Sequence, residues 1–273
     1  MPRHIWLWTV FLVPLVLVAL ASVAGTEAPL QKNSITVVYN HESSPTATGL
    51  AEAGGFSAYV RLGERSILFD VGGEATLILE NLQRVGADLA GLDAVVISHN
   101  HWDHVYGLPG VMSGSRTQAP VYVPAPAAEG IQQQFPRATV VAVQEALQIA
   151  PGIWLTEPMQ IEFMGGALSE QALVLDLPAG LHIITGCSHP GIVRIVENVK
   201  RMFPDRPIAL VAGGFHLRST ESEDLSMIAA DLDRLGVRKI GPSHCTGDAA
   251  KSLFRERWQN RWVSFDLGDT YDF

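Results

Sequence analysis

Positive charge is scarce in this chain. Only 19 of its 273 residues are Lys or Arg, against 28 Asp or Glu, a net charge of −9 with histidine neutral. No basic run exceeds an isolated pair. Nucleic-acid binding needs a basic face, so that class of partner is excluded. Cysteine is scarcer still: Cys187 and Cys245 are the only two. One disulfide is the most they could form. Both lie beside histidines, in Cys187-Ser188-His189 and His244-Cys245, which points to a metal region instead, with a buried free thiol as the plainer reading of Cys245. No low-complexity tract interrupts a globular composition, 47% hydrophobic and 17% charged. That is enough apolar material for one large domain or two small ones.

One long apolar run exists, at the N-terminus. Met1-Pro2-Arg3-His4 is a short basic start, Ile5 to Leu20 is almost wholly apolar, and Ala21-Ser22-Val23-Ala24 ends it in small residues. This is the pattern of a secretory signal peptide, residues 1–24, leaving a single domain over 25–273. Cleavage after Ala24 would leave 18 Lys and Arg against 28 acids, about −10. The expected location is therefore periplasmic or secreted. An uncleaved anchor is the alternative, because the run is near the lower limit of about 17–20 residues for a span.

What the chain does have is a dense histidine motif. Ser98-His99-Asn100-His101-Trp102-Asp103-His104 reads H-x-H-x-D-H and follows the apolar strand Leu92 to Ser98. Imidazole and carboxylate are ligands for zinc and similar divalent ions. Two histidines two apart on an extended segment can face one metal, and Asp103 and His104 can reach a second. Two ions about 3.5–4 Å apart would polarise a substrate oxygen and make a hydroxide nucleophile at neutral pH.

The rest of the chain alternates strands and helices. Strands are expected at Ile35–Tyr39, Phe56–Leu62, Ser66–Asp70, Ala172–Leu177, His182–Thr185, Ile208–Ala212, Val237–Ile240 and Trp262–Phe265. Helices are expected at 76–85, from Pro190 through Val199, from a Thr220-Glu221-Ser222-Glu223 capping box, and over about 248–258. A Ser/Thr/Pro/Gly-rich loop spans 41–55, and a Pro/Ala-rich stretch 119–128. No linker divides them. This is an α/β layout with function on loops at strand ends.

Histidines recur at those ends. His244 is a further expected ligand, as is His189, with Cys187 a possible one. His216 follows a Gly-Gly turn and could orient substrate, act as a proton donor or join the metal set, with Asp103 as the other catalytic candidate. Asp70 is expected to hold the ligand loop by hydrogen bonds rather than bind metal. Arg218 and Thr246, with helix N-termini at about 190 and 247, could receive an anionic group. His41 and His182 have no supporting context and read as structural.

Ile67-Leu68-Phe69-Asp70-Val71-Gly72, the motif His99 to His104, and His244 resemble the metallo-β-lactamase superfamily over about 35–268. The resemblance implies an αββα sandwich with metals at one edge between two sheets. Thr185-Gly186-Cys187-Ser188-His189-Pro190-Gly191-Ile192, Gly213-Gly214-Phe215-His216-Leu217 and Pro242-Ser243-His244-Cys245-Thr246-Gly247 resemble a branch often labelled after a 7,8-dihydropterin-6-methyl-4-(β-D-ribofuranosyl)aminobenzene-5′-phosphate synthase. Two departures stand out. The segment Gly165 to Gln171 lacks the histidine of the commoner Gly-His-Thr pattern, and Cys187 stands where Thr-Gly-Asp supplies a bridging aspartate. That leaves His189 to replace the histidine, and Cys187 or a water to replace the bridge.

The expected function is an exported metal-dependent hydrolase of an ester, phosphoester or related small-molecule substrate, using one or two divalent ions. Zinc is favoured by ligand type, with Mn or Fe also accepted by such sites. The alternatives are a β-lactamase, a lactonase or thioesterase, and a non-catalytic exported metal-binding protein. A flavin-linked di-iron oxidoreductase is disfavoured, since the second ligand of the motif is His101 and not a glutamate. The expected partner is a small molecule, with a membrane involved only if the N-terminal segment stays uncleaved.

Overall fold

The computed structural model describes Met1 and residues 33–45, 47–114 and 119–273. The expectations for the signal segment therefore lie outside the described residues. In the first half, strands β1 (Ser34–Tyr39), β2 (Ser57–Leu62) and β3 (Arg65–Phe69) are followed by helix α1 (Ala75–Arg84), β4 (Ala94–Val96), the short α2 (Trp102–Val105), α3 (Leu108–Gly114), β5 (Pro120–Pro124), α4 (Ala125–Gln134) and β6 (Thr139–Val143). The second half runs β7 (Leu147–Ala150), β8 (Ile153–Leu155), β9 (Met159–Phe163), β10 (Gly166–Glu170), β11 (Leu173–Leu177), β12 (Gly180–Thr185), α5 (Ile192–Met202), β13 (Ile208–Gly214), α6 (Ser222–Arg234), β14 (Lys239–Ser243), α7 (Asp248–Trp258) and β15 (Thr270–Asp272).

Seven strands form one sheet in the order β15-β1-β2-β3-β4-β5-β6, and six form another in the order β14-β13-β12-β11-β8-β7. The hairpin β9–β10 stands apart as a two-stranded sheet. Period-two alternation sorts the side chains. Ile67, Phe69, Ala94 and Val96 point inward to meet Leu173, Leu175, Ile184, Leu210 and Ala212 in a core between the sheets. Leu68, Val95 and Ile97 point outward onto Ile78, Leu82, Leu108 and Val111 of the first helical layer. Leu181, Ile183 and Val211 point outward onto Ile195, Val199, Leu225, Leu232 and Phe254 of the second. Both faces of each central strand are thus covered, which is why β4 and β13 read as unbroken apolar runs and β12 is broken only by His182. The result is the expected αββα sandwich.

Three local expectations are corrected. Trp262–Phe265 is not a strand: its one link is an isolated bridge from Trp262 to Ile240, and the strand that extends the first sheet is β15. The capping box does not form, because α6 starts at Ser222 with Glu221 before it, and no side chain caps it. Pro190 lies in a turn two residues before α5 rather than inside its first turn.

The parallel sets β3-β4-β5-β6 and β12-β13-β14 send their C-terminal ends to one edge of the sandwich. The loops after β3, β4, β12, β13 and β14 carry the residues singled out above. Gln171 joins the two halves there. Its backbone N–H donates to the Ser98 carbonyl at 2.9 Å, and its side-chain amide donates to the Ile97 carbonyl at 2.8 Å.

Candidate metal centre

The edge is strained where it carries chemistry. Among the described residues six non-glycine positions have positive φ, and four are Asp70 (56°), Ser188 (63°), His216 (54°) and His244 (51°). Such residues cost of order 1–3 kcal/mol each and persist only where their surroundings fix them. Close approach is equally demanding. A Cβ at Gly186 would lie 2.1 Å from Ser98 Oγ and 2.9 Å from Asp70 Oδ2, so only glycine lets the loop after β12 reach the histidine loop after β4.

Hydrogen bonds fix which ring nitrogen each histidine offers. Asp70 is fully buried and accepts the Ser98 backbone N–H and the Ser98 hydroxyl, both at 2.7 Å. With its proton committed to Asp70, the Ser98 oxygen accepts from His99 Nδ1 at 2.9 Å, leaving His99 Nε2 free. His104 Nδ1 donates to Asp70 Oδ2 at 2.7 Å, leaving its Nε2 free. His189 Nδ1 donates to Glu170 Oε2 at 2.8 Å, leaving its Nε2 free. Carboxylates holding the far nitrogen of an imidazole are what metal-binding histidines ordinarily have. Asp70 thus holds the His104 ring directly and the His99 ring through the Ser98 hydroxyl.

Glu170 is a residue the sequence reading passed over. It is buried and accepts the backbone N–H groups of Cys187 (3.0 Å), Ser188 (2.7 Å) and His189 (2.8 Å) as well as the His189 ring. Burial opposes its charge, but His189 and those N–H groups hold its carboxyl below the usual range. It lies in the very segment that lacks the expected histidine. The only sequence signal was an acid at the end of a strand, directly before Gln171.

The donors fall into two groups around one sulfur. His99 Nε2 lies 3.0 Å from His101 Nδ1, and the His189 ring is 4.6 Å from the His99 ring and 4.8 Å from the His101 ring, centroid to centroid. On the other side Asp103 Oδ2 lies 3.6 Å from His104 Nε2 and 3.5 Å from His244 Nε2. Cys187 Sγ is 3.3 Å from His104 Nε2 and lies within 4.8 Å of donor atoms of His99 and His189 on one side and of His104 and His244 on the other. Burial pushes its thiol well above the ordinary value in the metal-free chain; a bound cation reverses this, since a coordinating thiol is deprotonated outright.

These residues fit metal ions. Both ring nitrogens of His244 are buried without a well-formed hydrogen bond, Nε2 having only the Asp103 carboxylate at 3.5 Å, and a cation would give that nitrogen a partner. His99, His101 and His189 would hold one ion, and Asp103, His104 and His244 the other, with Cys187 between them.

The charges give a pH dependence. Burial works against a charge on His104, but Asp70 outweighs it and lifts the imidazole to about 9. Burial drives His99 the other way, well below its ordinary value. An ion entering the second group must displace the His104 proton, which is present below pH 9 and absent above it. Apparent affinity should therefore climb at least tenfold per pH unit between about 7 and 9, and go on climbing above 9 while binding still displaces the Cys187 proton. Competition with a chromophoric chelator at stepped pH checks this, and a flat profile would refute it.

The centre opens into a cavity of about 680 Å³ lined by Trp102, Phe163, His216 and Arg218, among others. The Phe163 ring, next to the hairpin tip, packs on His101, His189 and His216. His41 corrects the structural reading given to it: it lines the cavity, meets the His244 ring at 5.7 Å, and lies 3.3 Å from the Arg218 guanidinium. The loop carrying it is strapped down by Asn81, which bonds Val38 and Ala51, and by Lys251, which pairs with Glu42 and with Asp266. Thr246 is also corrected. It is fully buried, with its hydroxyl between Ser243 and Phe215, and it does not line the cavity. His182 stays remote, packed on Tyr271 and Phe273. Cys187 and Cys245 are both free thiols, and Cys245 is half-buried on the cavity wall.

Two packed sheets between two helical layers, with imidazole, carboxylate and thiol donors gathered at one edge, define an αββα protein with a candidate metal site. The chain belongs to the metallo-beta-lactamase superfamily, whose sequence profile matches residues 51–186. A 7,8-dihydropterin-6-methyl-4-(beta-D-ribofuranosyl)-aminobenzene-5'-phosphate synthase from Methanocaldococcus jannaschii is 26% identical over 250 residues, covering 77% of this chain and 85% of that protein. The solved structure of Tm1679, a metal-dependent hydrolase of the beta-lactamase superfamily, matches with a TM-score of 0.73 at 25% identity over 88% of this chain and 99% of that one. A diphosphatase from the PhnP family shares the fold, with a TM-score of 0.60 at 17% identity over 89% of this chain and 98% of that one.

Proposed function

We propose that the chain is a metal-dependent hydrolase of a small anionic substrate, with a phosphoester or carboxylic ester as the bond cut. The observation that carries this reading is the pair of donor groups meeting at Cys187 on the floor of an open cavity whose wall holds Arg218 and His41. Two divalent cations, zinc by the nature of the donors, supply Lewis acidity and make water nucleophilic near neutral pH. The side chains do the rest. Arg218 binds an anionic group as a cation in a chain of net charge −9, and His41, whose burial keeps its imidazole below the ordinary value, adds a neutral hydrogen-bonding group beside it. Trp102 and Phe163 line the cavity with aromatic surface. His216 faces the cavity 4.5 Å from the His189 ring, centroid to centroid, and hands a proton to the leaving group. The curated relative is named a synthase and Tm1679 a hydrolase, so the bond is decided by assay.

The test is a panel of phosphoester, thioester and lactone substrates with the metal-loaded chain. His216→Ala should lower kcat about 10²–10⁴-fold while keeping the ions of the two donor groups, and Arg218→Ala should chiefly raise KM. Full activity in His216→Ala would remove it from proton transfer, and no turnover of any panel member would sink the hydrolase reading. Export stays part of the proposal on the pattern of residues 1–24, with the N-terminal sequence of the mature protein as its check. Among the described residues no helix is long and apolar enough to cross a membrane.

A further inference from the structure

The two-ion arrangement uses Cys187 but gives no ligand role to two donors beside it, Cys245 and His216. All three sit just past the ends of neighbouring strands. Strands β12, β13 and β14 run parallel, with Thr185 opposite Gly213 and Gly213 opposite Pro242. Each chain then turns through a left-handed non-glycine residue, Ser188, His216 or His244. The turns aim Cys187, His216 and Cys245 at one point. Gly214 makes room for this. A Cβ there would lie 2.2 Å from the Gly186 carbonyl and 2.8 Å from Cys245 Sγ. With glycine in place, Cys245 Sγ comes within 3.6 Å of the Cys187 carbonyl oxygen.

The outcome is a compact donor set. Cys187 Sγ, a His216 ring nitrogen and Cys245 Sγ all lie within 4.8 Å of one another. Zinc-to-sulfur bonds of about 2.3 Å and zinc-to-nitrogen bonds of about 2.0–2.1 Å put tetrahedral ligand atoms roughly 3.4–3.8 Å apart, a closure of at most about 1.4 Å. Two sulfurs and one imidazole suit soft or borderline ions such as Zn(II), Cu(I) or Cd(II), and suit Mg(II), Ca(II) or Mn(II) poorly. All three residues line the cavity, so a fourth position is open to water or an exogenous ligand.

We propose that Cys187, His216 and Cys245 form a third cation site, open to the cavity and selective for a thiophilic ion. It shares the Cys187 sulfur with the two-ion centre, and it holds whether or not the chain proves to be a hydrolase. An ion seated there withdraws His216 from proton transfer, so loading it inhibits the reaction proposed above.

Cadmium alone is the probe. The purified full chain is stripped with a chelator and titrated with Cd(II), following equilibrium dialysis and the ultraviolet thiolate-to-cadmium absorption. The wild type should take three equivalents. Cys245→Ser and His216→Ala should each take two, and in Cys245→Ser the absorption should fall to about half as one of two sulfurs is lost. Thermal melting of the variants checks that they fold. His101→Ala keeps the third site and loses an ion of the first group. A wild-type endpoint of two equivalents, or a Cys245→Ser chain that still takes three with undiminished absorption, overturns the proposal. Three equivalents without turnover of any substrate would sink the hydrolase reading alone, and two equivalents with turnover would sink this one alone.

Discussion

Cys187→Ala is expected to lower the affinity for metal in both donor groups at once and to reduce turnover by at least about 100-fold, the loss seen even when residues behind the ligands are removed. The reason is position. The Cys187 sulfur belongs with His99 and His189 on one side and with His104 and His244 on the other. Its removal leaves three donors per ion and brings two cations together with no anion between them. Cys187→Asp should recover much of the lost affinity, because a carboxylate can bridge two ions from the same loop. Cys187→Ser, with a poorly acidic hydroxyl, should recover little. Metal content after dialysis separates the three variants. A Cys187→Ala chain that retains both ions with wild-type affinity would show that the sulfur is a packing group only.

Glu170 carries the second large effect, and it acts through other residues. It gathers three consecutive backbone N–H groups and the His189 ring on one buried carboxylate. Glu170→Ala leaves all four donors buried and unsatisfied, and removing one partner of a buried pair costs about 3–5 kcal/mol. The chain should melt earlier, with or without metal. Glu170→Gln keeps the shape and can accept from only part of that set. It should stay folded and lose about 10–100-fold in affinity for the ion held by His99, His101 and His189. The affinity of the other group, held through Asp70, should change little. That split distinguishes a positioning residue from a merely structural one. Equal weakening of both groups would contradict it.

The site was half legible in the sequence, for a physical reason. His99, His101, Asp103 and His104 fall within six positions, so the short loop after β4 and the turn of α2 bring them together. His189, His244 and Cys187 were found because each follows an apolar strand whose end is marked by glycine or proline. Glu170 was missed because its partners lie 17–19 residues away, across β11 and β12. His41 was misread for a similar reason. Its place in the cavity depends on Asn81 pinning the loop through Val38 and Ala51, and nothing local to residue 41 shows this. In the fold, strands buried on both faces announced themselves as apolar runs. The hairpin β9–β10 did not, since its residues are largely half-buried or exposed. The Trp262–Phe265 run is strand-like in composition, but Val263 and Phe265 spend it packing into the core between the sheets rather than pairing as a strand.

The central claim is that this edge of the sandwich holds metal through the histidine motif. Metal analysis of the purified chain, wild type beside His101→Ala, tests it most directly. The account predicts at least one tightly held divalent ion per wild-type chain, and a clear loss in His101→Ala with the fold intact by thermal melting. Less than one ion per chain, unchanged by the substitution, would contradict it.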